Sequence, residues 1–276
     1  MKVGDITIDP VSDGYVLAPA TGLFRRPMED WSPHQQFLDA AGNITMSMGG
    51  FLVRSGDRVV LIDVGIGPNS NPERTGMFLR SLGQLGVKPE DVTDVALTHL
   101  HFDHVGWASD GAKPYFPNAT YRCHRADWDF FLGPDPLDES LGVRFLGGRP
   151  AVEVLPAVAD RIEPWSGDTA ILAGIDVRSA PGHTPGSTIL TISSGPERAV
   201  LLGDVVHCPV ELLENDWDAI GDVDPKLAAR TREALAREFE GTDVPLAATH
   251  FQGLQFGRLL AGTGRRQWLF DGGLPA

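Results

Sequence analysis

The stretch THLHFDHVG, residues 98–106, places three of the chain's eight histidines and one aspartate between His99 and His104. A neutral imidazole offers a nitrogen lone pair and an aspartate a carboxylate oxygen, the donors that Zn²⁺ and other borderline divalent ions take. In an extended or looping segment alternate residues project to one side, so His99, His101 and Asp103 can converge, with His104 turned toward a neighbouring point. Satisfied surface histidines in a polar loop are the plain alternative, and three further segments weigh against it. APGHTPGS puts His183 in a tight Pro/Gly turn after a strand. LLGDVV ends a strongly apolar run on Asp204, whose carboxylate would be costly to bury unpaired. LAATH puts His250 in the same kind of place. Four separate segments that each end in a ligand-type residue are hard to explain without a metal.

The elements that must position these residues are short apolar runs bounded by Gly, Pro and Asp. MSMGGFLV (46–53) and RVVLIDVG (58–65) flank RSGD as a hairpin, and DVALTH (94–99) stops at the histidine motif. TAILAGIDVRSAPG (169–182), STILTIS (187–193), RAVLLGDVV (198–206) and PLAATH (245–250) form a second block. Helical patterns occupy residues 73–86, 124–133 and 224–241. In the last, Asp224 suits the N-cap, Pro225 the first helical position and Gly241 the far end, with Leu227, Ala228, Leu235 and Phe239 near one face. Two blocks of strands with helices between and after them imply an α/β sandwich. One domain over residues 1–276 is expected, built of two halves, about 1–160 and 161–276. Residues 10–45 and 133–166 are Pro- and Gly-rich and poorly periodic, and read as surface loops or caps over a site.

At 276 residues and 42% hydrophobic, the chain can bury a substantial core. A net charge of −14, with only four lysines and scattered arginines, excludes a phosphate-tracking surface, so no nucleic-acid partner is expected. Two cysteines, Cys123 and Cys208, are too few for a disulfide framework, and Cys208 reads as a buried small hydrophobe. The start MKVGDITIDP has no apolar leader, and no run approaches the length of a membrane span. These features suit a cytoplasmic protein without a membrane partner.

THLHFDH, GHTPGS, GD and TH occur in an order and spacing that resemble metallo-β-lactamase-fold hydrolases over roughly residues 45–255. The resemblance implies an αββα sandwich with two divalent metal ions, zinc first and Mn, Fe or Co as alternatives, at one edge of the two sheets. Carried over position by position, His99, His101 and His183 would hold one ion, Asp103, His104 and His250 the other, and Asp204 would bridge them. Asp63, in LIDVG, matches an acidic residue that supports the ligands from behind, orienting metal-bound imidazoles. Two divalent ions, two carboxylates and one bridging hydroxide carry a single net positive charge. Such a centre activates water and polarises a carbonyl or phosphoryl oxygen without a backbone oxyanion hole.

Within the fold, Asp at 204 and His at 104 depart from the Cys-containing β-lactamases. His101 argues against the flavin-linked diiron reductases. The long N-terminal lead and GDVVHCPVELLENDW look most similar to the lactonase and organophosphate-hydrolase branch. Acylhomoserine lactonases often carry tyrosine three residues after the bridging aspartate. His207 stands there instead, which resembles the methyl-parathion-hydrolase-like subgroup. His207 could hydrogen-bond substrate or leaving group, or simply be packed. Phe102, Trp107, Phe24, Trp31, Phe145, Trp217 and Phe251 are candidate pocket residues, with core packing as the competing reading for each. Phe102 and Trp217 are the preferred substrate contacts.

The expected function is dinuclear metal-dependent hydrolysis of neutral lactones or carboxylic esters, extending to organophosphate triesters. A bridging hydroxide would attack, with Asp103 as proton shuttle, Asp204 as bridge and His207 at the substrate. A hydroxyacylglutathione-hydrolase-like thioesterase, a mononuclear iron sulfur dioxygenase and a metal-stabilised binding protein are the alternatives. The related branch is often dimeric, so a homodimer is an expected partner state, with residues 20–40 in reach.

Overall fold

In the computed structural model, which describes residues 1–68 and 74–272, the two strand blocks build two sheets. The first runs β1 (Lys2–Val3), β2 (Ile6–Pro19), β3 (Asn43–Ser55), β4 (Arg58–Ile62), β5 (Asp94–Ala96) and β6 (Thr120–Arg122) in spatial order. The second comprises β7 (Thr169–Leu172), β8 (Ile175–Ser179), β9 (Thr188–Ser194), β10 (Glu197–Leu201), β11 (Leu246–Ala247), β12 (Gly257–Leu260) and β13 (Gln267–Phe270), again in spatial order.

Side-chain alternation fixes how the sheets face. In the hairpin of β3 and β4, Phe51, Val53, Val60 and Ile62 point between the sheets, where they meet Ile175, Leu190, Ile192 and Leu201. Leu52 and Leu61 point outward, onto Phe78 and Leu82 of the helix Phe78–Gln84 and Phe131 of the helix Arg125–Leu132. On the far face of the second sheet, Ile189, Val200 and Leu246 pack against Leu235, Ala236 and Phe239 of the helix Pro225–Phe239. The layers are therefore helix, sheet, sheet, helix, the expected αββα sandwich.

The helix Pro225–Phe239 has the expected ends: the Asp224 carboxylate accepts from the Leu227 N–H at 2.9 Å, and Gly241 turns the chain at φ +71°. The helical pattern read over residues 73–86 gives the helix Phe78–Gln84, while residue 73 lies outside the described residues.

Two expectations need correction. Residues 10–19 are strand rather than loop: β2 pairs with β3 along its whole length. Pro10 and the Asp13-Gly14 pair break the hydrophobic pattern, but β1 covers only Ile6 and Thr7, and beyond them β2 is an edge strand that tolerates a proline. A bulge between Ser12 and Gly14 lets the Asp13 carboxylate turn inward, where it accepts from the N–H groups of Ile66, Gly67 and Phe78 and from the Trp107 indole. Residues 133–166 likewise contain the helices Ser140–Leu146 and Ala151–Val154 and a 3₁₀ turn over Leu155–Arg161.

The site follows from strand direction. β4, β5 and β6 run parallel, as do β10 and β11, and their carboxyl ends lie along one edge of the sandwich. Asp63, residues 98–104, Asp204 and His250 follow directly on β4, β5, β10 and β11. Ligands in α/β folds collect at such carboxyl ends.

Candidate metal centre

The structure brings together all seven residues read as metal-ligating. His99, His101 and His183 form one group, Asp103, His104 and His250 a second, and His99, His104 and Asp204 a third, with the donor atoms of each group within 4.8 Å of one another. The imidazole nitrogens of His99 and His183 lie 3.0 and 2.9 Å from Nδ1 of His101. Asp204 stands between the two groups: Oδ1 is 3.2 Å from His104 Nε2, and Oδ2 is 3.0 Å from His250 Nε2 and 3.7 Å from His183 Nε2. Asp103 Oδ2 lies 3.5 Å from His250 Nε2.

Four of the five imidazoles are tied at Nδ1, which leaves Nε2 aimed inward. His99 Nδ1 is 3.1 Å from Thr98 Oγ1, His104 Nδ1 is 2.9 Å from Asp63 Oδ2, His183 Nδ1 is 3.1 Å from Asp222 Oδ1, and His250 Nδ1 is 2.9 Å from the Ser47 carbonyl. His101 is turned the other way and presents Nδ1. Asp63 also accepts from the N–H and hydroxyl of Thr98, at 2.8 Å each, and from the Thr249 hydroxyl. It does so from a left-handed backbone, φ +58°, which aspartate tolerates better than most residues. Gly203 makes the close approach possible: a Cβ there would sit 2.7 Å from Cβ of Thr98.

The electrostatics suit cations. Burial, followed by the charge of neighbouring imidazoles, holds His99 and His101 well below the usual histidine range, and burial lowers His183 as well. Neutral imidazoles with inward lone pairs are the ligand form. Burial opposes the charge of Asp204, yet His104 and His250 hold its carboxyl well below the usual range. His104 Nε2 and Asp204 Oδ1 are buried and make no well-aligned hydrogen bond among the described residues. Burial opposes protonation of His104, but Asp204, Asp63 and Asp103 raise its pKa well above the usual range, a proton that a bound cation would displace. Five imidazoles and two carboxylates this close together fit a pair of divalent ions.

His207 joins this edge. Its Nε2 lies 3.6 Å from Asp204 Oδ2, and His183, Asp204 and His207 form a further donor group. Burial opposes its protonation, but Glu211, with Oε2 at 3.4 Å from Nδ1, pushes its pKa up to about 9.

The aromatic candidates scatter. Phe24, Trp31 and Trp217 form one cluster, with Trp217 edge-on to Trp31 at 4.6 Å and the Arg26 guanidinium over its ring. Phe102 opens the helix Phe102–Val105, its N–H donating to Glu139. Trp107 and Phe251 are packed in the core, and Phe145 is 77% exposed. A shallow recess of about 10 Å³, room for roughly one water, opens beside His207 and His250, lined by Phe37, Ile44, Phe251 and Phe270 among others. Phe251 is the one aromatic candidate among its lining residues, which include neither Phe102 nor Trp217.

Apart from Asp63, sequence reasoning missed the residues behind the donors. Asp127 accepts from the Leu100 N–H, the Thr184 hydroxyl and the Gly186 N–H, clamping the 98–104 loop to the 181–187 turn. Asp222, Glu211 and Arg232 form a second buried set. The available signal was a charged residue on an otherwise apolar helix face: Asp127 one turn before Phe131, and Arg232 between Ala228 and Leu235.

Asp63→Asn keeps the shape and the backbone tolerance but puts an amide nitrogen among donors. We expect ion affinity to fall about 10–100-fold, read by chelator competition. Unchanged affinity would separate Asp63 from the centre.

Residues 50–250 match the family model of the metallo-beta-lactamase superfamily. A probable metallo-hydrolase of Mycobacterium tuberculosis is 29% identical over 181 residues, 56% of this chain and 56% of the relative, so the match spans little more than half the length of that protein. An N-acyl homoserine lactonase of Bacillus thuringiensis is 24% identical over 79% of this chain and 90% of its own. Among solved structures, AidC, a dizinc quorum-quenching lactonase in complex with a product, superposes with a TM-score of 0.83 at 25% identity, over 98% of this chain and 95% of that one. The hydrolase AbOPH of the beta lactamase superfamily gives 0.82 at 28% identity, over 97% and 95%.

Proposed function

This chain belongs to the metallo-β-lactamase superfamily, and from that premise we propose that it is a dinuclear metal-dependent hydrolase of neutral lactones, with carboxylic esters and aryl phosphotriesters as secondary substrates. The reading rests on one observation: Asp204 stands between two histidine groups whose inward nitrogens crowd within ligand-sharing distance of one another. Likeness to a product-bound dizinc lactonase over nearly the whole chain supports the choice of lactone. His99, His101 and His183 would hold one ion, Asp103, His104 and His250 the other, and Asp204 both. When bound, the ions supply an ionised water as nucleophile and a Lewis-acid contact for the carbonyl oxygen.

The chain's own residues do the remaining work. Asp103, slightly open to solvent beside His250, can take the proton of the attacking water and pass it to the leaving alkoxide. His207, backed by Glu211, faces the same cleft and is placed to hydrogen-bond the substrate's carbonyl or leaving oxygen. The apolar side chains near it, Phe37, Ile44, Phe251 and Phe270, suit an uncharged acyl or ring portion better than a polyanion. Phe102 and Trp217, outside the recess beside His207, are proposed as further substrate contacts.

The test is a panel of acylhomoserine lactones, simple lactones, aryl esters and an aryl phosphotriester, run on protein of measured metal content. Lactone turnover with about two ions per chain is expected. A single iron per chain with oxygen uptake would favour the sulfur dioxygenase instead. Silence across the panel with both ions loaded would end the hydrolase reading. In the same assay, His207→Ala should keep both ions while kcat/KM falls about tenfold, the worth of one substrate hydrogen bond. A metal-depleted variant would reassign His207 as a ligand.

A further inference from the structure

The helix Pro225–Phe239 carries an arginine where its buried stripe asks for a hydrophobe: Ala228, Arg232, Leu235 and Phe239 share that face. Only 2% of the Arg232 side chain is exposed, and a lone guanidinium there would be strongly destabilising. Three carboxylates meet it. Nη1 lies 3.0 Å from Asp222 Oδ2 and 3.6 Å from Glu211 Oε1, and Nη2 lies 2.6 Å from Asp218 Oδ1. The Asp222 and Glu211 side chains are fully buried, and Asp218 is at the surface.

Each buried carboxylate uses its second oxygen toward the candidate centre. Asp222 Oδ1 accepts from His183 Nδ1 at 3.1 Å. Glu211 Oε2 accepts from the backbone N–H groups of His207 and Cys208 and lies 3.4 Å from His207 Nδ1. Asp218 belongs to the segment that carries Trp217, and Gly221 in that segment passes over His183.

We infer that Arg232 is a positioning residue: one guanidinium fixes the Asp222 carboxylate and balances the charge of Glu211, and so aims the imidazole of His183 while pinning the 217–222 segment beside it. Without it, Asp222 and Glu211 are like charges left unpaired in a poorly solvated pocket, and rotation of Asp222 away from its neighbour releases His183. The planar fork meets several carboxylates at fixed angles, which the point charge of lysine does not reproduce. The inference rests on the ion-binding reading proposed above.

The experiment uses Co²⁺ as probe, following affinity by chelator competition and coordination by the visible ligand-field bands. Wild-type protein should take up about two Co²⁺ ions, as a dinuclear centre requires. Arg232→Met should bind one of them about 10–100-fold more weakly, with shifted bands, while the other ion keeps its affinity. Arg232→Lys should recover only part of the loss. Should Arg232→Met not fold, Asp222→Asn carries the same test, since it leaves Arg232 paired with Glu211 and Asp218. Wild-type affinity and spectrum in whichever of these variants folds would overturn the role of Arg232. Failure of the wild-type chain itself to bind Co²⁺ would instead bring down the ion site, and this inference with it.

Discussion

Asp204→Asn is expected to strip most of the metal and to lower lactone turnover by about a thousandfold or more, some 4 kcal/mol of transition-state stabilisation. The size follows from geometry. Both oxygens of Asp204 face histidine nitrogens, Oδ1 toward His104 at 3.2 Å and Oδ2 toward His250 at 3.0 Å. An asparagine offers one acceptor oxygen and an amide nitrogen that cannot coordinate. One group would lose its shared ligand, and the carboxylate that offsets the two cations would be gone. Metal analysis beside the lactone assay checks it. Wild-type metal content with full activity would mean that Asp204 bridges nothing.

Asp127→Asn should act through the frame. Its three acceptor contacts, at 3.1 Å to the Leu100 N–H, 2.9 Å to the Thr184 hydroxyl and 2.6 Å to the Gly186 N–H, leave no side of the carboxylate facing water. However the amide is turned, its NH₂ group meets a buried N–H. Leaving such a donor unpaired, with loss of a charge-assisted bond, costs on the order of 3 kcal/mol. For a chain of this length that is a fall of roughly 5–10 °C in Tm. Because Leu100 and Thr184 adjoin His99, His101 and His183, ion affinity should fall as well. Calorimetry with and without Zn²⁺ reads both effects. An unchanged Tm would show that the loops hold their shape without this clamp.

The donors were legible because chemistry and pattern coincide at them: each ends an apolar run, where neither burial nor periodicity explains a histidine or an aspartate. The sandwich was legible in the same runs, since Phe51, Val53, Val60 and Ile62 alternate with Leu52 and Leu61 over two buried faces. β2 was not. Its Pro10 and Asp13-Gly14 look like loop until the inward turn of Asp13 is seen to satisfy donors from residues more than fifty positions away. Asp222 and Glu211 were hidden because they lie in irregular or very short elements where no periodic pattern marks them. Asp127 and Arg232 each interrupt a recognisable apolar face. The aromatic residues were the weakest guide, because Trp31, Trp107 and Trp217 fill space in ways composition cannot separate from contact with a ligand.

The donors are rooted in the tips of the sheets, whereas the surrounding rim is drawn from other parts of the chain: residues 28–37, 139–150 and 213–222 contribute no ligand atom to the groups described. Reactivity and selectivity are thus separable inheritances. Exchange of a rim segment would change which molecule is admitted while leaving the donor cluster intact, except where Glu139 accepts from the Phe102 N–H between two donors and where Asp218 and Asp222 tie the last segment to Arg232. Diversification would be freest around the first segment and most constrained at the other two.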